Sequence, residues 1–436
     1  MEKYSEYKDS GVQWLGEIPS HWKAVPFKSV FELMKGLSIT KANLTDEGIN
    51  VVSYGQIHSK QNKYTKIVPE LYRKVSIDYL ITNPQALCNK EDFLIADTSE
   101  DIVGSGNFVR VDKEQQLFAG YHTIIARNKN IDNGHFMSYF MQSDKWRMQI
   151  WVQVHGVKLY NITRGILNST RLIIPPLAEQ HSIVSYLDTK CSQLDTLLSN
   201  KEKEISLLQE MKQRVIADAV TRGINPSVKF KTTNIPWLPE IPEHWEEKRL
   251  SSKFVGEVET NKEFEYKHAF KFNYGELLPK NELGDQEEYR DVYVKYSIIN
   301  KGDILINGLN LNYDFVSQRV ACAPNDGIIT SAYVVCRPRN GVNYNYYKLL
   351  LKAMDSMKLF HGMGSGIRLT LSFKELKKQI LPVPPLSEQH SIVSYITERA
   401  SKIDLLIEKL NKEIESIKEY KQRLISDVVT GQVKVC

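Results

Sequence analysis

The chain lacks the residue patterns that mark secretion, membrane insertion and metal binding. Its five cysteines are odd in number, widely spaced and without a CxxC pair, which favours reduced thiols over disulfides or zinc ligands. No apolar run approaches the roughly 18 residues of a membrane span. The polar N-terminal residues have no apolar stretch of a secretory signal. These absences predict a protein of the cytoplasm.

Catalytic motifs are also missing. The glycine-rich segments at 104–106 and 362–366 are not followed by Lys-Ser or Lys-Thr, so neither is a phosphate-binding loop. Residues 83–86 imitate the Asn-Pro-Pro-aromatic motif of base-flipping methyltransferases only poorly, and we interpret them as a turn. No HExxH, GxSxG or metal-spaced group of His and Cys occurs. The sequence therefore predicts a non-catalytic chain that itself binds no cofactor and no metal.

What the chain does contain is a long internal repeat. Residues 175–186 and 384–395 differ only at Ala178 and Ser387, and related residues continue at the same offset along the chain. A second pair of segments, 14–22 and 237–245, precedes them in each half. Prolines and aromatic residues around the histidines of this second pair indicate a packing segment rather than a catalytic site. The repeats predict a duplicated unit with internal two-fold character.

Charge is distributed unevenly over this repeat. The net charge is +5, yet the repeated segments 178–222 and 387–430 each hold one more acidic than basic residue. The positive excess therefore lies in the rest of the chain. It permits a polyanionic partner without requiring one.

Each repeated segment is predicted to form a long helix. Prolines 175–176 and 384–385 suit helix starts, and no Pro or Gly follows for more than 40 residues. Apolar residues recur every seven positions, with Lys201 as a polar break, which is typical of a coiled coil. A hairpin that only holds the chain together is an equally compatible interpretation. The predicted seam is Leu187, Leu194, Leu208, Val215, Ile396, Ile403, Leu410, Ile417 and Leu424, with Leu197, Leu198, Ile205, Leu406, Ile407 and Ile414 between them.

The remaining sequence predicts two globules, each opening one half of the repeat. Short β-branched runs separated by Gly, Asn and Asp indicate mostly β structure, with helices near 134–151 and 344–360. A Lys-x-Asp-x-Leu/Ile frame occurs at 90–95 and again at 301–306. We therefore predict an α+β fold with two mixed, β-rich globules, two long helices and internal pseudo-two-fold symmetry.

Loops in both globules are rich in amides, cations and aromatic side chains. Gln and Asn can pair with adenine, and Lys and Arg with guanine or phosphate. Any one such loop is most often ordinary solvated surface, but their recurrence in corresponding places favours nucleic-acid binding. The candidate DNA-binding residues are Tyr54, Gln56, His58, Lys60, Lys63, Ser105, Asn107, Lys158, Asn273, Asn307, Asn310, Asn312, Tyr313, Arg319 and Arg368.

Two motifs, each present twice and in the same order, carry a family resemblance. Ile-Pro-x-His-Trp stands at 18–22 and 241–245, and Pro-Leu-x-Glu-Gln at 176–180 and 385–389. With the alternation of divergent globules and near-identical helices, the whole chain resembles the specificity subunit of a type I restriction-modification enzyme. The resemblance implies six segments: an N-terminal extended segment 1–22, a target-recognition domain 23–175, a spacer helix 176–222, a linker 223–245, a second target-recognition domain 246–383 and a second spacer helix 384–436.

The resemblance also implies a function. Each globule would read one half of a bipartite, asymmetric site in double-stranded DNA, and the helices would pack antiparallel as a spacer. The helices would also dock two modification methyltransferase subunits, which hold S-adenosylmethionine and methylate adenine. A restriction translocase that cleaves unmodified DNA, as in phage defence, joins such complexes where it is present. A coiled-coil adaptor whose globules bind proteins is the alternative, whereas a fused methylase-endonuclease would need the missing catalytic motifs.

Overall fold

Helices of two very different lengths make up the α-helical part of the chain. The structure, a computed structural model, describes residues 2–156, 158–280, 289–312, 318–364, 366 and 369–435. The first long helix, Leu177–Arg222, has 46 residues and the second long helix, Leu386–Val429, has 44. The shorter α-helices are Phe27–Val30, Tyr54–Ile57, Tyr79–Thr82, Gly134–Phe140, Asp144–Trp151, Arg164–Ser169, Arg290–Tyr293, Tyr344–Ser356 and Phe373–Leu376. Short 3-10 helices are Lys41–Asn43, Pro69–Leu71, Pro84–Ala86, Ile131–Asn133, Leu250–Ser252 and Leu359–Gly362.

The helix predicted at 134–151 is divided in two. The first of the two helices ends at Phe140. Ser143 has extended backbone angles and caps the second helix, because its side chain accepts a hydrogen bond from the Trp146 N–H. The helix predicted at 344–360 ends at Ser356.

The first globule contains two four-stranded sheets. The first is antiparallel, in the spatial order Phe108–Arg110, Phe93–Ala96, Thr123–Asn128 and Phe31–Lys35. The second is mixed, in the order Leu117–Ala119, Ile49–Val52, Arg73–Val75 and Leu44–Thr45, with a parallel pairing between its first two strands. Three further pairs are Tyr7–Asp9 with Glu17–Pro19, Lys23–Pro26 with Arg171–Ile174, and Thr98–Ser99 with Tyr160–Asn161.

The second globule repeats the antiparallel sheet with the same topology. Its spatial order is Val320–Cys322, Ile304–Ile306, Val334–Pro338 and Phe254–Val255. The other antiparallel pairs are Phe230–Ile235 with Leu238–Pro242, Glu246–Arg249 with Ile380–Val383, Phe270–Asn273 with Glu276–Pro279, and Ser297–Ile299 with Gly327–Ile329. The mixture of sheets and helices confirms the predicted α+β class.

Each antiparallel sheet buries one aspartate against one arginine, and these aspartates come from the repeated Lys-x-Asp frame. Arg127 Nη2 lies 3.2 Å from Asp92 Oδ2, and Arg337 Nη2 lies 3.0 Å from Asp303 Oδ2. Both aspartates are 1% exposed. Burial raises the pKa of both carboxyl groups, and hydrogen bonds from the backbone and from the arginine partly offset that rise. The aspartate of the shared Lys-x-Asp frame therefore forms a structural ion pair in both globules.

Two compact units divide the chain, and each long helix contributes to both. The first unit is Met1–Lys201 with Lys412–Cys436, and the second is Glu202–Asn411. In the first unit, the start of the first long helix shares a core with the end of the second, through residues such as Leu187 and Leu424. In the second unit, the end of the first long helix shares a core with the start of the second, through Val220 and Ile396. The helices are therefore antiparallel within each unit.

Most of the predicted seam is removed from solvent. Leu187, Ile396, Ile403, Leu410 and Leu424 are buried, and Leu194, Leu208, Val215 and Ile417 are half-buried. The prediction is wrong for Leu197 and Leu406, which are 43% and 50% exposed. Each helical residue turns by about 100°, so Leu197 points roughly 80° away from the direction of Leu187, whereas Leu198 points only about 20° away.

Among the described ion pairs, three link the long helices within the two units, and two of these are equivalent under the repeat. Asp195 pairs with Lys421 at 2.5 Å in the first unit, and Asp404 pairs with Lys212 at 2.7 Å in the second. The third pair, Lys201 with Glu413, has no equivalent, because Leu410 occupies the repeat position of Lys201. Partly exposed pairs contribute little stability, so we interpret all three as setting the helix register.

In the first unit, the two ends of the chain are hydrogen-bonded to each other. The Lys434 N–H donates to the Glu2 carbonyl at 2.9 Å, and the Tyr7 hydroxyl donates to the Gly431 carbonyl at 2.8 Å. In the second unit, the continuous segment from 223 to 242 leads from a long helix into a hairpin like that of residues 7–19. In both units, the end of a long helix is thus connected to a hairpin. The connection consists of hydrogen bonds in the first unit and of continuous chain in the second.

Candidate nucleic-acid interface

Four segments of the first globule meet at one surface, here called the first rim: residues 54–64, 97–106, 121–122 and 158–161. The centre of the Tyr54 ring lies 5.7 Å from that of Tyr121 and 5.4 Å from that of His122. The strands Thr98–Ser99 and Tyr160–Asn161 pair antiparallel, which brings residues 158–161 beside the 97–106 segment. Aromatic contacts and one short strand pair therefore hold the rim together.

A polar network behind the first rim fixes its loops. His58 Nε2 lies 2.8 Å from the Thr98 carbonyl oxygen, and since a carbonyl can only accept, Nε2 carries the hydrogen. His58 Nδ1 then accepts from Asn107 Nδ2 at 3.0 Å. Asn107 Oδ1 in turn accepts from Arg147 Nη1 at 2.7 Å and from the Tyr64 hydroxyl at 3.1 Å. The network joins two rim segments, 54–64 and 97–106, to the helix Asp144–Trp151.

This network changes the interpretation of several predicted DNA-binding residues. His58 and Asn107 are engaged inside the protein, and Ser105 is fully buried, so we assign all three to loop support rather than to direct DNA contact. Gln56 Oε1 accepts from the Ser53 N–H at 3.1 Å, which caps the short helix there. The residues that still face outward are Lys60, Lys63 and Lys158, which are exposed, and Tyr54, which is half-buried.

The structure adds rim residues that the sequence did not single out. Ile102 and Val103 are 43% and 68% exposed at the tip of the 97–106 loop. His122 has a positive φ of +53°, and its Nδ1 lies 3.1 Å from Asp97 Oδ1. Apolar tips can contact thymine methyl groups, as amides and cations contact base edges. No local pattern marks these residues, since only the folded chain brings their loops together.

A second rim lies on the second globule and comprises residues 273–276, 307–312 and 318–320. Arg319 is fully buried, and its Nη1 donates to the carbonyls of Asn307 and Leu309, each at 2.9 Å. Its backbone N–H donates to Asp355 Oδ2 at 2.6 Å. Arg319 therefore holds the 307–312 loop in place, and the prediction that it contacts DNA directly does not fit this burial.

The remaining predicted residues of the second globule have mixed positions. Asn273 and Asn310 are exposed, whereas Asn307 and Asn312 are half-buried. Tyr313 and Arg368 lie outside the described residues. Arg319 and Asn107 stand at matching places, each just before the strand that pairs with the central strand of its sheet. Each globule thus uses one residue at that position to hold its rim loop.

The two repeated motifs, which are far apart in the sequence, meet at the start of each long helix. Glu179 Oε1 lies 2.6 Å from His21 Nε2, and its Oε2 accepts from Trp22 Nε1 at 2.9 Å. In the second half, Glu388 Oε2 lies 2.7 Å from His244 Nε2 and 3.0 Å from the indole nitrogen of the following tryptophan. We call each arrangement a His-Trp-Glu clasp. A carboxylate in the first helical turn also interacts favourably with the helix dipole.

The glutamines that follow these glutamates complete the helix starts. Gln180 Nε2 donates to the Pro175 carbonyl at 2.8 Å, and Gln389 Nε2 donates to the Pro384 carbonyl at 2.9 Å. Both glutamines are buried. Each Glu-Gln pair therefore holds the start of a long helix. The histidines of the Ile-Pro-x-His-Trp motif take part in the clasps, so their role in this fold is structural, as their sequence surroundings indicate.

Comparison with known proteins places the chain in a family. The family model for the type I restriction modification DNA specificity domain matches residues 19–207 and 242–416. The chain belongs to this family. Each matched region includes a globule with its rim and the clasp at the following helix start.

Related specificity subunits span nearly the whole chain. The type I restriction enzyme MjaVIII specificity subunit of Methanocaldococcus jannaschii is 23% identical over 100% of this chain and 98% of its own length. The EcoKI specificity subunit of Escherichia coli strain K12 is 21% identical over 96% of this chain and 90% of its own length. One chain of a solved type I R-M system, studied for complex assembly and conformational transition, has a TM-score of 0.65 at 16% identity and covers 95% of this chain and 99% of that one. This last likeness shows the fold.

Within the described residues, no group of three or more His, Cys, Asp or Glu side chains could hold a metal ion. None of the described helices is both long and apolar enough to cross a membrane.

Removing either clasp glutamate is expected to destabilise this specificity-family fold. Glu179→Ala or Glu388→Ala leaves a fully buried tryptophan N–H without its acceptor, which should lower the free energy of unfolding by about 2 kcal/mol. Denaturant unfolding monitored by tryptophan fluorescence would measure this loss. Glu398→Ala is the matched control, because this exposed residue forms a surface ion pair with Lys402 and should leave stability almost unchanged. Equal losses for all three variants would contradict the role of the clasp.

Proposed function

We propose that each globule of this chain reads a different half of a bipartite, asymmetric site in double-stranded DNA. The supporting observation is that the globules share one sheet and one buried ion pair but present different rims. The shared parts hold the fold, whereas the rims offer different aromatic, amide and cationic groups to a groove. One globule reads only a few base pairs, and a second tethered globule multiplies the discrimination.

Topology gives a concrete difference between the two rims. In the first globule, the antiparallel strands Ile49–Val52 and Arg73–Val75 are joined by the long segment 53–72, which carries much of the first rim. In the second globule, the corresponding strands Phe270–Asn273 and Glu276–Pro279 are joined by only two residues. The correspondence rests on a parallel pairing in both globules: the strand Ile49–Val52 pairs with Leu117–Ala119, and Ala269, directly before the strand Phe270–Asn273, pairs with Ile328. Rims built so differently favour unlike half-sites.

We further propose that the two long helices act as a spacer and dock two copies of a modification methyltransferase. His181, Ser182 and Ser185 are exposed on the first long helix, and identical exposed residues recur at 390, 391 and 394 on the second. The fold does not require these exposed side chains to be identical, whereas binding the same partner twice does. S-adenosylmethionine and the adenine-methylating chemistry belong to that partner, so the chain itself is non-catalytic and binds no cofactor. A restriction translocase would add cleavage of unmodified cytoplasmic DNA, such as that of a phage.

The test of this function is the methylation pattern in cells that carry the chain with its modification subunits. Single-molecule sequencing should reveal one split, asymmetric motif with methylated adenine in each half, and cells without the chain should lack it. Replacing residues 246–383 with the corresponding globule of a relative should change one half-site only. DNA binding by the complex should also weaken steeply with salt. A complex with no bipartite motif and no salt-dependent DNA binding would instead favour the protein-binding adaptor.

A further inference from the structure

A tyrosine in a costly backbone conformation stands at the tip of a hairpin in the second rim. The pairing of Asn273 with Glu276 leaves Tyr274 and Gly275 as a two-residue turn. Their φ angles are +43° and +78°, the signs required by a type I′ turn. Such turns favour Asn-Gly or Asp-Gly, because most side chains other than those of Gly, Asn and Asp are disfavoured at positive φ. Tyrosine is therefore a poor choice for making this turn.

The side chain of Tyr274 gains little from folding. It is 70% exposed, so most of its aromatic surface remains in water. Tyr274 therefore has a costly backbone conformation and also leaves its ring in water. Residues in strained conformations concentrate at binding sites, so binding explains this tyrosine better than folding does. The neighbouring Gly275 has no such cost, because glycine adopts positive φ freely.

The position of the hairpin indicates what Tyr274 binds. A Cβ atom at Gly275 would lie 2.9 Å from Gln318 Oε1, so the tip adjoins the residue before Arg319, which holds the 307–312 loop. Exposed Asn273 and Lys271 on the same hairpin add an amide and a cation. Tyr274 directly follows its strand, much as Tyr54 of the first rim closely follows the strand Ile49–Val52. The topology therefore places Tyr274 where the first globule has its aromatic cluster.

We propose that Tyr274 enters a DNA groove and is a specificity-determining residue for the second half-site. The ring would pack against base edges or a thymine methyl group, while Lys271 would approach a phosphate. A docked protein partner is less consistent with this placement, because two copies of one partner need features present in both halves. In the first globule, the corresponding described strands are joined by the long segment 53–72 instead of a two-residue turn. This inference rests on the proposed function of the rims.

The decisive variant is Tyr274→Asn, which creates an Asn-Gly turn and should fold at least as well as the parent chain. We expect the purified chain to unfold at an unchanged or higher temperature. In the complex with its modification subunits, the affinity for cognate DNA should fall about tenfold or more. Sequencing of methylated DNA should show one degenerate position in the second half-site and an unchanged first half-site. Tyr274→Phe should retain most of the recognition, because it keeps the ring.

The control is Val292→Asn, which removes another exposed apolar side chain, 46% exposed, from the same globule outside the rim. It should leave the motif and the affinity unchanged. An unchanged motif and affinity for Tyr274→Asn would overturn the inference, as would a lower unfolding temperature, which would show that the tyrosine stabilises the turn. If the proposed DNA-reading function were wrong, the parent complex itself would show no bipartite methylated motif. That result would refute the role of Tyr274 as well, and it differs from a normal motif in the parent complex with no effect of Tyr274→Asn.

Discussion

Replacing both Leu197 and Leu406 with glutamate is expected to abolish the DNA methylation directed by this chain. These leucines are 43% and 50% exposed and occupy equivalent positions of the repeat. Leu177 and Leu386, which are 44% and 50% exposed, form a second such pair, so apolar surface recurs on both helices. A charge at the centre of an apolar interface costs about 2–4 kcal/mol, which corresponds to a roughly 30- to 1,000-fold loss of affinity for each docked subunit.

The chain provides matched controls for this prediction. Leu207 and Leu405 are 65% and 67% exposed, but their repeat-equivalent positions hold serine and threonine. Leu207→Ser and Leu405→Thr should therefore leave methylation intact. Size-exclusion chromatography with the modification subunits would show two copies bound by the parent chain and one by either single glutamate variant. Full assembly and methylation by the double variant would disprove this docking surface.

Replacing Asp303 with alanine is expected to lower the free energy of unfolding by about 3 kcal/mol. The substitution leaves the partly buried guanidinium of Arg337 without its carboxylate, and breaking such a pair is much more costly than replacing both partners. The backbone N–H of Asn300, which donates to Asp303 at 2.8 Å, would also lose its acceptor. Denaturant unfolding should show the loss, and methylation in vivo should fall as the unfolded fraction rises.

Asp92→Ala should give a loss of similar size, because the first globule contains the same buried pair. Asp291→Ala provides the surface control, since this exposed residue of the second globule should change stability by no more than about 0.5 kcal/mol. If Asp92→Ala and Asp303→Ala were as mild as this control, the shared Lys-x-Asp frame would have no structural role.

Features that depend on residues close together in the sequence could be predicted, whereas features that depend on distant residues could not. The long helices and most of the seam could be predicted, because proline at the start, the absence of Pro and Gly, and a seven-residue spacing are local signals. The seven-residue pattern does not exclude Leu197 and Leu406 from the seam, because a rotation of about 80° is decided by packing rather than by apolar character. The division between the helices Gly134–Phe140 and Asp144–Trp151 is not evident from apolar spacing, although serine is a favoured capping residue.

Binding residues were harder to predict than elements. Residue chemistry nominated His58, Asn107 and Arg319 because amides and cations recognise DNA, but the same groups also satisfy loops inside a protein. The structure gives them internal partners, whereas it leaves Tyr274, Ile102 and Val103 exposed. Exposure depends on neighbours far away in the sequence, so composition could not separate the two groups.

The sequence by itself determined the duplicated plan, the long helices and the family, because repeats, helix signals and motifs are written in consecutive residues. Only the tertiary structure decided that the two repeated motifs form one clasp, with Glu179 and Glu388 each binding the His-Trp pair of its own half. It also decided which loop residues support a rim and which of them face outward. These are long-range contacts, and their partners are chosen by the packing of the whole chain.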